Sequence, residues 1–260
     1  MYKKIIIGIF FLSICFCHAE AQRWKKYRYE FSYGLGATNF MGDIGAPEQN
    51  FITQYFWLTP KSFRPIGNVG LGYILLERVH AKANLHLGWL SGSDEYGAWV
   101  TRDLKFSSFI LEPSMQIDVY LNKEKRKLNI YRSTNRFKRK LENISIPTYL
   151  FIGFGGVLVS TNLQAIETVK PEDSYSGETI LGKKTTFTGT VPIGIGFRYR
   201  LSSRIYLGLE ASLRYTLSDK IDNHIPTLGQ WVDAYQFLVL NVNYKLKSTR
   251  SGLPRFKMSY

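Results

Sequence analysis

Residues 187–217 contain two long runs in which apolar and polar side chains alternate. From Phe187 to Leu201 the odd positions are almost all apolar or aromatic, whereas the even positions are threonine, proline, glycine or arginine. After Ser202-Ser203 the alternation resumes and continues to Leu217. A period of two indicates β-strands, because successive side chains of a strand point to opposite faces. Each run exceeds the roughly five or six residues of an ordinary strand, and one apolar face opposite a polar one is typical of strands that cross a membrane in a barrel.

The same alternation recurs along the chain and predicts eight strands. They cover residues 27–39, 65–77, 81–90, 106–121, 146–160, 187–201, 204–217 and 232–246. Pro113 and Pro192 fall within two of them. Because proline cannot donate to a β-ladder, we expect a bulge at each, unless the lumen-facing position of Pro192 accommodates it. An even strand number is the rule in bacterial single-chain barrels. The predicted fold is therefore all-β: an eight-stranded antiparallel transmembrane β-barrel.

The lengths of the connections alternate as they do in outer-membrane barrels. The connections after the first, third, fifth and seventh strands are long, and those after the second and sixth are tight turns. Long loops of such barrels lie outside the cell and short turns lie in the periplasm. The sequence thus predicts four long extracellular loops. The charged insertion 122–145 is the exception, since it is long but falls on the periplasmic side.

The N-terminus has the features of a secretory signal peptide, predicted over residues 1–21. Lys3 and Lys4 precede the apolar run 5–17, and Ala19-Glu20-Ala21 provides a cleavage site. Both cysteines lie in this segment, so the mature chain has no thiol for a disulfide or a metal. No later segment has 18 consecutive apolar residues, as a membrane-spanning helix requires. We expect the barrel over 22–246, a polar periplasmic tail over 247–260, and export to the cell outer membrane.

The inward faces of the predicted strands carry charges of both signs. They are Arg28, Glu30, Lys82, Glu112, Asp118, Arg198, Arg200, Glu210 and Arg214. The interior of an eight-stranded barrel is only wide enough for side chains, and charges buried there must pair. We therefore predict a plugged lumen held by salt bridges, and no conducting pore.

Nothing in the sequence indicates catalysis or a cofactor. A hydrolytic site would need a histidine beside a serine and a carboxylate. His86 points into the predicted lumen without an evident serine neighbour, His80 falls at a turn, and His224 falls in a loop. The residues also show no metal-ligand spacing. We expect a protein that is not an enzyme and that binds neither cofactor nor metal.

Positive charge collects at the predicted periplasmic end. Residues 123–142 hold nine basic and two acidic residues. The candidate docking residues are Lys125, Arg126, Lys127, Arg132, Arg136, Lys138, Arg139 and Lys140. Such a surface suits an acidic periplasmic partner, although solubility or contact with anionic headgroups would also explain it. Nucleic acid is not an expected partner in this compartment, whereas outer-membrane lipid is.

Three glycine-rich segments resemble one family. They are Gly34-x-Gly36-x-x-Asn39-Phe40-x-Gly42-Asp43-Ile44-Gly45, Pro147-x-x-Leu150-Phe151-x-Gly153-x-Gly155, and Pro192-Ile193-Gly194-Ile195-Gly196-x-x-Tyr199 followed by Ser218-Asp219-x-x-Asp222. In this order they resemble the PorG-like small outer-membrane barrels of the type IX secretion system. The resemblance implies a structural component of a protein secretion apparatus that docks a periplasmic ring lipoprotein. Two alternatives remain: a stand-alone surface adhesin or binding barrel with a plugged lumen, and a lipid-modifying barrel enzyme.

Overall fold

The computed structural model describes most of the predicted barrel. The described residues are 27–42, 44, 62–94, 104–122, 146–165, 178–179, 181–218, 221–225 and 233–248. The predicted signal peptide, nearly all of the insertion 122–145 and most of the tail 247–260 lie outside the described residues, and so do all eight candidate docking residues.

Ten strands are present in the described part of the chain. They are β1 (Tyr29–Met41), β2 (Arg64–Leu76), β3 (Val79–Ser93), β4 (Leu104–Tyr120), β5 (Thr148–Ala165), β6 (Glu178–Thr179), β7 (Gly182–Arg200), β8 (Ile205–Thr216), β9 (His224–Ile225) and β10 (Ala234–Leu246). Eight of them form a closed antiparallel barrel in the order β1-β10-β8-β7-β5-β4-β3-β2, while β6 and β9 pair with each other separately. The predicted eight-stranded antiparallel barrel is confirmed.

The barrel wall is taller on one side. Strands β3, β4, β5 and β7 have 15, 17, 18 and 19 residues, whereas β1, β2, β8 and β10 have 13, 13, 12 and 13. The prediction ended β5 at residue 160 and began β7 at residue 187, several residues short at the end where the long loops emerge. Beyond these limits the outward residues become polar, as at Asn162 and Lys183, but the pairing of β5 with β7 continues. We call this end the loop end, and the end with the turns at 77–78 and 201–204 the turn end.

Neither proline causes a bulge. The pairing of β4 with β5 keeps one register on both sides of Pro113, and the pairing of β5 with β7 keeps one register on both sides of Pro192. On their other sides, Pro113 pairs with Leu85 and Pro192 pairs with Arg214. The ladder with β5 is thus interrupted at each proline without any change of register.

The outward residues form a continuous apolar belt around the barrel. Exposed members include Leu35, Leu71, Leu87, Met115, Ile152, Phe154, Ile193, Leu209 and Leu240. Aromatic pairs mark both edges of the belt: Tyr29 contacts Tyr73 near the turn end, and Trp89 contacts Phe109 near the loop end. Within the belt, the described strands place no Asp, Glu, Lys or Arg in an outward position.

In the described residues there is no helix with the length and apolar character needed to cross a bilayer.

Candidate functional site

The loop-end half of the barrel interior is filled by an apolar plug. It consists of Phe40, Ile44, Ile66, Leu90, Leu104, Phe106, Ile110, Val157, Val159, Leu163, Ile221, Tyr235, Phe237 and Val239. Most of these residues share the inward parity of their strands; Phe106 and Ile110, for example, lie on the same face of β4 as Glu112. Leu90, Ile110, Val157 and Val159 have no solvent exposure. The plug itself therefore closes this half of the barrel with apolar and aromatic side chains, and the buried carboxyl groups of Asp94 and Asp233 beside it accept backbone N–H groups.

A short segment between β8 and β10 covers the plug. Ile221 has no solvent exposure, its N–H donates to Asp233 Oδ2 at 3.0 Å, and its carbonyl accepts from Thr161 Oγ1 at 2.5 Å. Asn223 has a positive φ of 64°, a conformation that asparagine tolerates better than most residues. These contacts attach the segment to the inner wall of β5.

A charged cluster centred on Glu112 lies directly below the plug. Arg214 Nε donates to Glu112 Oε1 at 2.8 Å, and Tyr235 donates its hydroxyl to Glu112 Oε2 at 2.6 Å. The Arg214 guanidinium also contacts Ser212 Oγ and lies 3.3 Å from His86 Nε2. Its Cζ atom is 3.8 Å from the centre of the Phe237 ring. Both oxygens of this carboxylate are thus satisfied, as a buried charge requires.

A second group of charges lies near the turn end. The Arg198 guanidinium faces the Glu30 carboxylate, with Nη2 2.8 Å from Oε2 and Nη1 3.2 Å from Oε1. Lys245 Nζ is 3.7 Å from Glu30 Oε1. This two-pronged arrangement is the geometry in which arginine binds a carboxylate most strongly.

A lysine–glutamate pair lies alongside. Lys82 Nζ is 2.7 Å from Glu210 Oε1, and Tyr149 donates its hydroxyl to the same oxygen at 2.5 Å. Asp118 Oδ1 accepts from Gln116 Nε2 at 2.7 Å, and Gln116 Oε1 accepts from Asn84 Nδ2 at 2.9 Å. The two contacts to Glu210 join non-adjacent strands across the lumen and fix those strands relative to each other, whereas the Gln116 contacts lie within β4 and between β4 and its neighbour β3.

Glycine makes room for an aromatic ring in this half. A Cβ atom on Gly196 would lie 2.1 Å from Tyr149 Cζ, so only glycine allows the tyrosine to reach Glu210. Tyr149 stacks on Tyr120 with ring centres 4.9 Å apart, and Arg198 lies over both rings. The aromatic rings and the charges thus form a single packed layer.

Between the two charge groups lies a layer of amides. Both polar side-chain atoms of Asn68, Asn241 and Asn243 are buried without a hydrogen-bond partner among the described residues. Asn68 Oδ1 and Asn241 Oδ1 lie 2.4 and 2.0 Å from where a Cβ atom of Gly34 would be, so these amides occupy the space that glycine leaves. Buried amides of this kind bind ordered water in proteins. Asn243 also lines a small cavity that reaches Glu30 and Lys82.

The structure brings together seven of the nine predicted lumen charges, each at most 6% exposed. They are Glu30, Lys82, Glu112, Asp118, Arg198, Glu210 and Arg214. Arg200 and Arg28 differ from the prediction. Arg200 is exposed and its Nε donates to Ser202 O, whereas Arg28 is half-buried before β1 and donates to Tyr73 OH. Both have inward parity, but Arg28 lies two residues before Glu30 and Arg200 lies two residues after Arg198. Each is therefore beyond the packed layer, where the barrel opens to solvent.

His80 and His224 are placed differently from the sequence expectation, whereas His86 points into the lumen as predicted. His80 lies within β3 and not in a turn; it is buried and its ring centre is 4.5 Å from that of Tyr120. His86 is buried against Arg214, and Ser212 Oγ contacts the same arginine instead of the histidine. His224 belongs to the short strand β9. Within the described residues no three His, Cys, Asp or Glu side chains are grouped so as to hold a metal ion.

Sequence reasoning missed several members of the interior. Tyr149, Tyr235 and Lys245 have inward parity, and counting strictly by twos from a known inward residue would have identified them. The plug was missed because residues such as Ile110 and Val159 point inward but are apolar, so they lack the polar character by which the sequence marks an inward position. Ile221 belongs to a loop and carries no periodic signal.

Comparison with known proteins gives structural similarity only. No family model matches the chain and no curated protein matches it. Among solved structures, Neisserial surface protein A has a TM-score of 0.42 and 8% identity over 84% of this chain and 96% of its own. The attachment invasion locus protein Ail of Yersinia pestis has a TM-score of 0.39 and 8% identity over 84% and 99%. A major outer membrane protein from Thermus thermophilus has a TM-score of 0.38 and 13% identity over 84% and 99%.

Proposed function

We propose that this protein is an outer-membrane β-barrel whose apolar belt is embedded in lipid and that serves as a structural component of a protein secretion apparatus. The belt is the observation that carries the proposal. Water-soluble monomers rarely expose an apolar patch larger than a few hundred Å², whereas here Phe154 is 68% and Leu71 62% exposed within a band that runs around the barrel.

The height of the belt fits a bilayer. On β4 the outward residues are apolar from Phe109 to Val119. At about 3.3 Å per residue and a tilt of about 40°, this stretch rises roughly 25 Å, the height of the apolar band of outer-membrane barrels. The aromatic pairs Tyr29–Tyr73 and Trp89–Phe109 lie where girdles at the two interfaces are expected.

The packed interior favours a structural role over transport. The apolar plug, covered by Ile221, fills the loop-end half, and ion pairs cross the other half. A solute would have to displace both layers. The apolar belt and the turn end are therefore the surfaces through which the barrel can contact lipid and a partner protein.

The turn end offers a basic surface for a partner. Its described cations are Arg28, Arg78, Arg200, Arg204, Lys245 and Lys247, and its described carboxylates are Glu77 and the buried Glu30. The sequence of residues 123–142, which connects β4 to β5, adds a further strong excess of basic residues. Complementary charge steers and orients association, so an acidic partner is favoured here.

We therefore propose that the turn end docks a periplasmic ring protein of a type IX, PorG-like apparatus. A photo-crosslinker in 123–145, used in intact cells, would capture that ring protein. Replacing the eight candidate docking residues by glutamine should abolish the capture and the secretion of cargo into the medium. Lys184→Gln, at the opposite end, is the control and should change neither. Unchanged capture and secretion in the eight-residue variant would contradict the proposal.

The loop end supports a second candidate, a surface-binding barrel. The tall wall extends past the belt, and β6 pairs with β9 to join the connections that precede β7 and β10. Deleting residues 45–61 and 166–177, which lie between the described strands, should remove surface binding while leaving secretion intact if this candidate is right. Loss of secretion with intact surface binding would instead support the secretion role.

A further inference from the structure

The tall wall carries a polar outward surface directly above the apolar belt. On β4, β5 and β7 the outward residues above Phe109 and Phe187 are no longer apolar. We call this surface the polar shoulder; it consists of Lys105, Ser107, Asn162, Gln164, Lys183 and Thr185. All six residues are exposed.

The strand register sets the spacing of the two lysines. Lys105 of β4 pairs with Gln164 of β5, and Lys183 of β7 pairs with Asn162 of β5. The lysines thus flank β5, with their Cα atoms about 12 Å apart, because two interstrand spacings of about 4.8 Å combine with a two-residue offset of about 6.6 Å along β5. Their flexible side chains can converge over the amides of β5. Neither lysine forms an ion pair within the part of the chain that the structure describes.

The shoulder lies at the depth of lipid headgroups if the belt spans the bilayer, so this inference rests on the proposed membrane location. Ser107 is one outward position above the aromatic residue Phe109 that marks the edge of the belt, and Lys105 is the next. Each outward step along a strand is about 6.6 Å before tilt. The lysine ammonium groups therefore reach the layer of headgroup phosphates and not bulk water.

The charge of the shoulder is specific to this wall. No described carboxylate occupies an outward position on the polar shoulder. The outward positions at the same end of the other wall include Ala37, Pro65, Ala234 and Gln236, and none of these carries a positive charge. Two cations flanked by amide and hydroxyl groups provide the donors that a phosphate oxygen accepts from.

We propose that the polar shoulder binds the phosphate of an anionic lipid headgroup in the leaflet at the loop end, with Lys105 and Lys183 as its cationic contacts. The site holds one patch of anionic lipid against β4, β5 and β7. It fixes the rotational position of the barrel relative to its lipid neighbours. The opposite wall should show no preference for anionic lipid.

Photo-crosslinking of the full chain in nanodiscs tests the proposal. The discs contain phosphatidylcholine with a minor fraction of phosphatidic acid, and a photo-reactive amino acid replaces Asn162, between the two lysines. Mass spectrometry then measures the ratio of phosphatidic acid to phosphatidylcholine adducts. We expect enrichment of phosphatidic acid by about thirtyfold over the bulk ratio, as two cations beside an anionic headgroup predict. In Lys105→Gln with Lys183→Gln the ratio should fall to the bulk value.

Matched controls separate this site from the membrane location itself. The same photo-reactive residue at Gln236, on the other wall, should report the bulk ratio, and at Met115, in the middle of the belt, it should give acyl-chain adducts. A bulk ratio at residue 162, or enrichment that survives the double substitution, would overturn the lysine site while the Met115 adducts still support membrane insertion. Loss of the enrichment in excess inorganic phosphate would show a site for free phosphate and overturn the lipid assignment. Absence of Met115 adducts would overturn both proposals.

Discussion

The two halves of the barrel interior are built from the same strands and the same inward parity, yet they are held by different forces. On β4, Phe106 and Ile110 belong to the plug, whereas Glu112 and Asp118, a few residues further on, belong to the charged half. Parity determines that a side chain points inward but not whether it is apolar. The apolar half excludes water without a requirement for specific partners. The charged half depends on each ion having its counterion.

Charge balance in the turn-end and central groups illustrates this requirement. In these two groups the described cations are Lys82, Arg198, Arg214 and Lys245, and the described anions are Glu30, Glu112, Asp118 and Glu210. The numbers match, and the closest pairs have N–O distances of 2.7 and 2.8 Å. Substitutions should therefore change the free energy of unfolding differently in the two halves. In the charged half, loss of one partner should cost the full stabilisation of the pair, whereas in the plug the cost should increase with the volume that is removed.

The largest effect is expected at Glu112. Glu112→Ala leaves Arg214 buried without its carboxylate and Tyr235 without its acceptor, and the free energy of unfolding should fall by about 3 to 5 kcal/mol. Guanidinium unfolding in phospholipid vesicles measures this change. Glu112→Leu combined with Arg214→Met removes both charges and should recover most of the loss. Costs that simply add in the double variant would contradict pairing as the source of stability.

A smaller and graded effect is expected in the plug. Ile110→Ala removes a fully buried side chain and should lower the free energy of unfolding by about 3 kcal/mol, whereas Ile110→Val should lower it by about 1 kcal/mol. The same unfolding experiment measures both variants. Equal costs for the two variants would indicate that the plug is not closely packed and would remove the distinction between the halves.

The smallest effect is expected at Arg200. It lies two residues from Arg198 on the same face of β7, but its side chain is exposed. Arg200→Gln should change the free energy of unfolding by no more than about 0.5 kcal/mol, as is usual for surface positions. Arg198→Gln, which removes the main partner of Glu30, should cost several times more. Similar costs for the two variants would place the edge of the charged layer further toward the turn end.

The barrel and its charged half could be predicted from the sequence because each depends on a pattern local to one strand. Alternation over 187–217 located β7 and β8, and inward parity identified Glu30, Lys82 and Arg214. The top of the tall wall could not be predicted in this way. There the outward side chains are polar, as at Asn162 and Lys183. The two faces of each strand therefore no longer differ in polarity, although the backbone pairing continues.

The plug and its cover depend on contacts between distant segments. Val157 and Ile110 are inward but apolar, so the alternation alone cannot distinguish them from belt residues without a fixed register. Ile221 lies in a loop and is held in the interior by hydrogen bonds to Asp233 and Thr161, which the periodicity of the sequence does not predict. The partners of the charges, such as Tyr149 for Glu210, likewise follow only from closure of the barrel.

The belt is tested most directly by placing one arginine at two heights on the outward face of β4. Met115 lies in the middle of the belt and Ser107 lies above it. If the belt is embedded in lipid, Met115→Arg should lower the free energy of unfolding in phospholipid vesicles by about 2 to 4 kcal/mol, and Ser107→Arg by less than about 1 kcal/mol. Equal and small costs at both heights would show that the belt does not face lipid and would contradict the account.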